Sequence, residues 1–405
     1  MQIAESLRHD KYEGPIALLG AEAHGPYNRP PLSKKWLIEG GHAAALAIRT
    51  PEVLTRRQIE LHTNLTVTGI DRAARLVRCA DGREFPYGGL ALATGARLRA
   101  LPVPGAGLRG VLGLRTLEDS QHIAAALEAC AAASAPLVVI GGGFIGLEVA
   151  AARKRGVAVT VLEGLERLMS RVVAPIVSTA AAQLHRAHGV ELVFDARVAE
   201  LVGQGAEGNR SVRAVRMADG REYPAGCVVV GIGVDPEDAL ARAAGLHCDR
   251  GVIVDACARS SDPHIVAAGD CCARRQHDGA LLRLESVQNA VEQGMSAAAA
   301  LLGVERPLKS APWFWSDQYD ARLQMVGLSH GYDQVVTRGE VAQLAFSAFY
   351  YRSGRLLAVD SLNNAPMHML ARRLLDRGLS PTPEQAADGN FNLQGLLAAG
   401  PSPPG

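Results

Sequence analysis

The stretch Leu137-Val138-Val139-Ile140-Gly141-Gly142-Gly143-Phe144-Ile145-Gly146-Leu147-Glu148 decides the reading of this chain. Four apolar residues, three of them β-branched, read as a buried parallel strand. The glycines Gly141, Gly143 and Gly146 then allow a tight turn in which bare backbone approaches a pyrophosphate at a helix N-terminus. An Ala-rich helix is expected from Glu148 to Lys154. A second strand, Val157-Ala158-Val159-Thr160-Val161-Leu162, ends on Glu163, about 20 residues beyond the turn, where an acidic side chain hydrogen-bonds the adenosine ribose of NAD. A carboxylate there repels a 2′-phosphate, and Arg167 and Arg171 come too late to replace it, so NADH is expected over NADPH.

The 405 residues suit two or three domains. Apolar residues make 48% and charged residues 20%, and the net charge of +1 gives no basic field for nucleic acid. No apolar run reaches membrane-spanning length, so a cytoplasmic protein without membrane contact is expected. Seven scattered cysteines without a C-x-x-C pair fit reduced thiols, and Cys271-Cys272 read as small buried hydrophobes. No metal site is expected.

An internal repeat extends the reading. Asp81-Gly82-Arg83-Glu84 recurs as Asp219-Gly220-Arg221-Glu222, each followed by an apolar strand and a glycine turn, Thr94-Gly95 and Gly231-Ile232-Gly233. The chain therefore holds two similar dinucleotide units. Ile3 to Arg8 reads as helix body, and Pro15 to Glu22 as a strand ending in an acidic residue. Matching Glu22 to Glu163 puts the first unit's glycine loop just before Met1. Either the start lies too late, or the chain is a shortened remnant whose first unit binds its dinucleotide weakly or not at all.

Further along, Pro26 to Trp36 reads as a rigid loop leading into a helix, and Leu101 to Gly105 as a linker. Leu117 to Ala133 reads as a helix. Pro263 to Asp270 is a short strand ending in Gly269-Asp270, and Glu285-Ser286-Val287 opens a helix. Beyond Pro307, alternating segments such as Phe346 to Tyr351 and Leu356 to Val359 suggest an antiparallel sheet. Helices are expected at Met367 to Leu375 and Thr382 to Ala387, then a disordered tail, 400–405.

These motifs, with Pro26-Tyr27-Asn28-Arg29-Pro30-Pro31-Leu32-Ser33-Lys34, Arg115-Thr116-Leu117-Glu118-Asp119 and Pro312-Trp313-Phe314-Trp315-Ser316-Asp317-Gln318, resemble the FAD-dependent pyridine-nucleotide reductases. More narrowly, they resemble the NADH-dependent ferredoxin reductases of oxygenase systems. The resemblance covers essentially the whole chain. It implies an α/β fold with two Rossmann-like dinucleotide-binding domains plus a C-terminal α+β domain. The FAD domain would take residues 1–103 and 227–308, the NAD domain 104–226, and the C-terminal domain 309–405. Glu22, Arg29, Val67, Thr94, Gly95, Arg115, Gly269, Asp270 and the Glu285-Ser286-Val287 turn would line FAD. Gly141 to Gly146, with Phe144 and Ile145, Glu163 and the Gly231-Ile232-Gly233 turn would line NAD. Lys34 would stand near the flavin as a fixed positive charge, Glu148 would pair with it beside the nicotinamide, and Trp315 would shield the ring edge.

The first 78 residues contain no cysteine, which removes a thiol relay on that side. The resemblance then implies hydride transfer from NADH to FAD, followed by single electrons to an acidic [2Fe–2S] ferredoxin serving an aromatic-ring dioxygenase or a cytochrome P450. Arg153-Lys154-Arg155 or Arg372-Arg373 offer a basic landing patch, or plain solvated faces. An NADH oxidase or quinone reductase without a protein partner is the other active reading. A monomer or weak homodimer is expected.

Overall fold

The computed structural model describes residues 1–206, 209–276 and 278–399, except for the side chains of Arg153, Lys154 and Ala399. The expected disordered tail, 400–405, lies outside the described residues. The chain forms two compact units. Unit 1 takes Met1–Asn28, His42–Arg97 and Val234–Lys309; unit 2 takes Arg29–Gly41, Leu98–Gly233 and the chain from Ser310 onward. The Pro-rich stretch is thus divided between them at Asn28 and Arg29.

In unit 2 the apolar run becomes strand Leu137–Ile140, the centre of a five-stranded parallel sheet. Val159–Leu162 and then Glu191–Val193 lie on one side, Cys227–Val230 and then Val111–Gly113 on the other. Leu137, Val138 and Val139 are fully buried, as a strand covered on both faces requires. Thr116 and Asp119 close a reciprocal capping box that starts helix Leu117–Ala132. The helix after the glycine turn runs over Phe144–Ala150 and tightens into a 3-10 turn at Ala151–Arg155, rather than spanning Glu148 to Lys154. Extended backbone at Gly143 lets the helix start at once, which brings Gly146 inside it.

The C-terminal part of unit 2 is an antiparallel sheet in the order Trp313–Gln318, Ala321–Gly327, Arg355–Leu362, Ala345–Arg352, Gln334–Glu340. Strand Ala345–Arg352 is buried on both faces. Phe346, Ala348 and Tyr350 pack with Leu147, Val177 and Leu184, while Phe349 and Tyr351 pack with Ala371 of helix Ala365–Asp376. That division follows the two-residue period of a strand. A shorter helix, Pro383–Ala387, follows.

Among the described residues, unit 1 contains three parallel strand pairs: Ile16–Leu19 with Ile59–His62, Leu90–Leu92 with Ile265–Ala267, and Val252–Val254 with Cys272–Arg275. Helix Gln2–His9 packs on helix Val287–Leu301. A Cβ on Gly294 would stand 3.0 Å from that of Gln2, so glycine permits the close crossing. Asp81-Gly82-Arg83-Glu84 and Asp219-Gly220-Arg221-Glu222 occupy matching hairpin turns of two three-stranded antiparallel sheets, one in each unit.

Candidate functional site

Strand Leu137–Ile140 delivers the chain to the carboxyl end of the parallel sheet, where open α/β sheets bind ligands. Gly141 sits at φ +110°, and a Cβ there would be 2.4 Å from the Gly231 carbonyl oxygen. A Cβ on Gly146 would be 2.1 Å from the Gly141 oxygen. Both glycines are therefore required by close backbone packing. Gly143 is different: no atom lies within 4 Å of where its Cβ would be. The turn is tight beneath and open above, a cradle that a side chain would fill. The Gly143 backbone opens the helix without a side-chain cap, which leaves amide donors for an anion. Ile145 is exposed at the same turn.

Glu163 ends its strand against this turn. Its Oε2 accepts from the Gly142 amide at 2.6 Å, and its Oε1 from the Leu165 amide at 2.8 Å. Arg167 donates to the Val173 carbonyl at 2.7 Å, Ser178 Oγ at 2.7 Å and the Ser170 carbonyl at 2.8 Å. Its guanidinium is occupied by its own loop rather than offered to a 2′-phosphate. Gly231 meets the turn through its amide, 2.8 Å from the Ile140 oxygen, and Arg99 donates from its backbone to Gly233. Gly141, Gly143, Phe144, Ile145, Gly146, Glu163, Gly231, Ile232 and Gly233 thus share one end of one sheet.

Lys34 and Glu148 meet in the same unit, their charges 2.9 Å apart, with the Glu148 side chain 2% exposed. Ser33 donates to Glu148 Oε2, and Ser316 Oγ donates to Oε1 at 2.5 Å. Pro30 and Pro31 open the 3-10 turn Pro30–Ser33 that sets Ser33 and Lys34 in place. Arg29 Nη1 donates to the Arg115 carbonyl at 2.7 Å. Trp315 lies beside Trp313, ring centroids 5.6 Å apart, and Phe314 packs on Phe144 at 4.8 Å. Ser33, Ser316 and Gln318 are polar partners that sequence reasoning missed. The only signal for the latter two was the alternation in Trp315-Ser316-Asp317-Gln318, which puts Ser316 and Gln318 on one face.

Unit 1 holds the other candidates. Glu22 accepts from the Tyr27 hydroxyl at 2.5 Å. Thr94 Oγ1 donates to the Glu237 carbonyl at 2.5 Å, and Gly95, at φ +73°, accepts from the Glu237 amide at 2.9 Å. Gly269, at φ +87°, donates to Gln293 Oε1 at 2.7 Å and turns the chain to Asp270. Val67 begins strand Val67–Asp71. Arg283 pairs with Glu285 at 2.6 Å, Ser286 caps the 15-residue helix that follows, and Val287 is exposed on its first turn. A carboxylate at one strand end, a Gly-Asp turn at another and an exposed apolar side chain opening a helix suit the adenosine, ribityl and ring parts of a flavin nucleotide. Among the described residues of unit 1 there is no glycine turn like that at Gly141 for the pyrophosphate.

Among the described residues no group of three His, Cys, Asp or Glu side chains could hold a metal ion. No described helix is long and apolar enough to cross a membrane. The seven cysteines are free thiols. Of the basic stretches, Arg155 approaches Glu128 at 3.5 Å, while the side chains of Arg153 and Lys154 lie outside the described residues. Arg372 lies over the Trp313 ring at 4.7 Å.

Residues 1–294 match the family model described as "Pyridine nucleotide-disulphide oxidoreductase". The chain belongs to the pyridine nucleotide-disulphide oxidoreductase family. Residues 313–397 of this family member match a second model, "Reductase C-terminal". It is 43% identical over 399 residues to rhodocoxin reductase of Rhodococcus erythropolis, covering 98% of this chain and 92% of that protein. It is 40% identical over 408 residues to putidaredoxin reductase of Pseudomonas putida, covering 98% and 94%. The structure of a ferredoxin reductase for the CYP199A2 system from Rhodopseudomonas palustris has a TM-score of 0.92 and 45% identity, covering 98% of this chain and 96% of that one. The reductase in a covalent putidaredoxin reductase–putidaredoxin complex also has a TM-score of 0.92, at 40% identity, covering 98% and 95%. This member of the family is an oxidoreductase of the ferredoxin reductase type.

Proposed function

We propose that this oxidoreductase takes hydride from NADH onto FAD and passes single electrons to a [2Fe–2S] ferredoxin that feeds an oxygenase, a ring dioxygenase or a cytochrome P450. The observation that carries this reading is the pairing of Lys34 with the buried Glu148 in the unit that also holds the glycine turn. The relatives named as ferredoxin reductases support the ferredoxin as acceptor. Residues 1–103 and 227–308 would hold FAD, 104–226 NAD, and 309–405 would cover the flavin, in a cytoplasmic monomer or weak homodimer.

When bound, FAD supplies a carrier that accepts two electrons together and releases them one at a time. The residues do the rest. Gly143 and the helix N-terminus receive the NADH pyrophosphate, and the Glu163 carboxylate takes its ribose hydroxyls. Lys34 presents a cation whose charge Glu148 balances. Trp315 excludes water from its side of the site. Glu22, Thr94, Gly95, Gly269, Asp270 and Val287 would hold the FAD, with Arg29 and Arg115.

The test is visible absorbance of the purified chain, followed by NADH. Two flavin bands that NADH bleaches, and cytochrome reduction that depends on added [2Fe–2S] ferredoxin, are expected. A chain that stays colourless with excess FAD overturns the flavin reading. Oxygen uptake undiminished by ferredoxin overturns the acceptor.

A further inference from the structure

Glu148 is held from two directions. Oε2 faces Lys34 and Ser33, neighbours in sequence, whereas Oε1 takes the hydroxyl of Ser316, 168 residues further along the chain. The last torsion of a glutamate is broad and roughly two-fold, so only external partners stop the carboxylate from turning. Donors on both oxygens do that.

Behind Ser316 the hydrogen bonds continue in one sense. Gln318 Nε2 donates to Ser316 Oγ at 3.2 Å, and His185 Nε2 lies 2.9 Å from Gln318 Oε1. His185 is fully buried, and burial holds its imidazole pKa down to about 4, so the ring is neutral near pH 7. An amide oxygen can only accept, which assigns the imidazole proton to Nε2. Each donor, from His185 through Gln318 and Ser316, therefore points toward the Glu148 carboxylate. Ser316 is fully buried, so a hydroxyl turned elsewhere would lose its acceptor in a dry interior. Successive hydrogen bonds aligned in this way polarise one another.

We propose that Ser316, backed by Gln318 and His185, is a positioning residue for hydride transfer: it fixes Glu148 Oε1 so that Oε2 holds Lys34 in its productive place. The C-terminal sheet then contributes to the reaction through a hydroxyl as well as through the neighbouring Trp315. This rests on the NADH-to-FAD reading given above.

The test uses the full chain with its flavin and pairs two readouts. The first is the infrared stretch of the Glu148 carboxylate in carbon-13 glutamate-labelled protein, assigned by its loss in Glu148→Gln. The second is the limiting rate of flavin bleaching by NADH, measured against NADH concentration. Ser316→Ala is expected to shift the band and lower the limiting rate about tenfold, the weight of one hydrogen bond to a charged group, with NADH affinity within about twofold of the parent. Ser316→Thr, which keeps the hydroxyl, restores both. Gln318→Met gives a smaller loss, about threefold. An unmoved band in Ser316→Ala, or a rate within about twofold of the parent, overturns the proposal. The band can also be read on flavin-free chain, so failure to bind FAD sinks the redox reading separately from this one.

Discussion

The two hairpins built on Asp-Gly-Arg-Glu are nearly superimposable in their local chemistry, yet the sheets beside them differ. Asp81 Oδ1 accepts from the Arg83 amide at 3.0 Å, and Asp219 Oδ1 accepts from the Arg221 amide at 3.0 Å. Gly82 sits at φ +87° and Gly220 at +88°. Each turn is followed by a parallel strand, Leu90–Leu92 or Cys227–Val230. In unit 2 that strand pairs with Leu137–Ile140, which pairs in turn with Val159–Leu162. In unit 1 no described strand joins Leu90–Leu92 to Ile16–Leu19. The acidic strand ends differ accordingly. Glu163 is held by amides at Gly142 and Leu165, while Glu22 takes a tyrosine hydroxyl. A turn repeats because its hydrogen bonds close within four residues; a sheet repeats only where each strand finds its neighbours.

Two buried aspartates give the largest expected effect. Burial raises Asp360 of unit 2 to about pH 7, against the hydrogen bond from Tyr350 that pulls it back. Burial also pushes Asp262 of unit 1 upward, but the hydrogen bond from Arg72 and the amide of His264 outweigh it and hold Asp262 below the ordinary carboxylate range. The signs are therefore opposite. Folded unit 2 keeps a proton on Asp360 that the unfolded chain releases near pH 4, so this contribution is whole below about pH 4 and is lost as pH rises through about 7. It amounts to about 4 kcal/mol at most. Asp262 contributes above the unfolded carboxylate pKa and loses its contribution as pH falls. Urea titrations from pH 2 to 8 should show Asp360→Asn flattening the decline of unit 2 between about pH 4 and 7, and Asp262→Asn weakening unit 1 at neutrality but progressively less as pH falls below about 4. Shifts of the same sign would break the contrast.

Next are the glycines. Gly146→Val forces a Cβ onto the Gly141 carbonyl, and a loss on the order of 3 kcal/mol together with loss of NADH binding is expected. Gly269→Ala in unit 1 meets only the Ala290 methyl at 3.6 Å, so its loss is confined to backbone strain of about 1–2 kcal/mol. Denaturant midpoints and an NADH titration separate them. Glu163→Gln should reduce the preference for NADH over NADPH about tenfold in kcat/KM with unchanged flavin content, whereas Glu22→Gln should lower FAD affinity and leave that preference intact. The smallest effect is the most symmetrical. Gly82→Ala and Gly220→Ala meet open space and should each lose about 1 kcal/mol. Unequal losses would show that the two turns differ in more than their neighbours.

Much of the dinucleotide architecture was legible because it is written locally. The apolar run at 137–140, the glycines after it and the acidic end of the next strand each reflect one backbone requirement. The repeat was legible for the same reason. The start of the helix at Phe144 was not, because Gly146 is a poor helix residue alone and is tolerated only for its contact with Gly141. Glu148 looked like any surface glutamate without the resemblance to support Lys34 as its partner. Ser316, Gln318 and His185 gave no signal as a group, since they lie on a strand and a helix far apart in sequence.

By itself, the sequence determined the turn chemistry, the parallel character of the central strand and the apolar alternation of the C-terminal strands, for each depends on residues within a few positions. The tertiary structure alone decided that two serines join Lys34 on one buried carboxylate, with a glutamine and a histidine behind one of them. A buried charge needs partners on all sides, and a folded chain can supply them from any distance along its length.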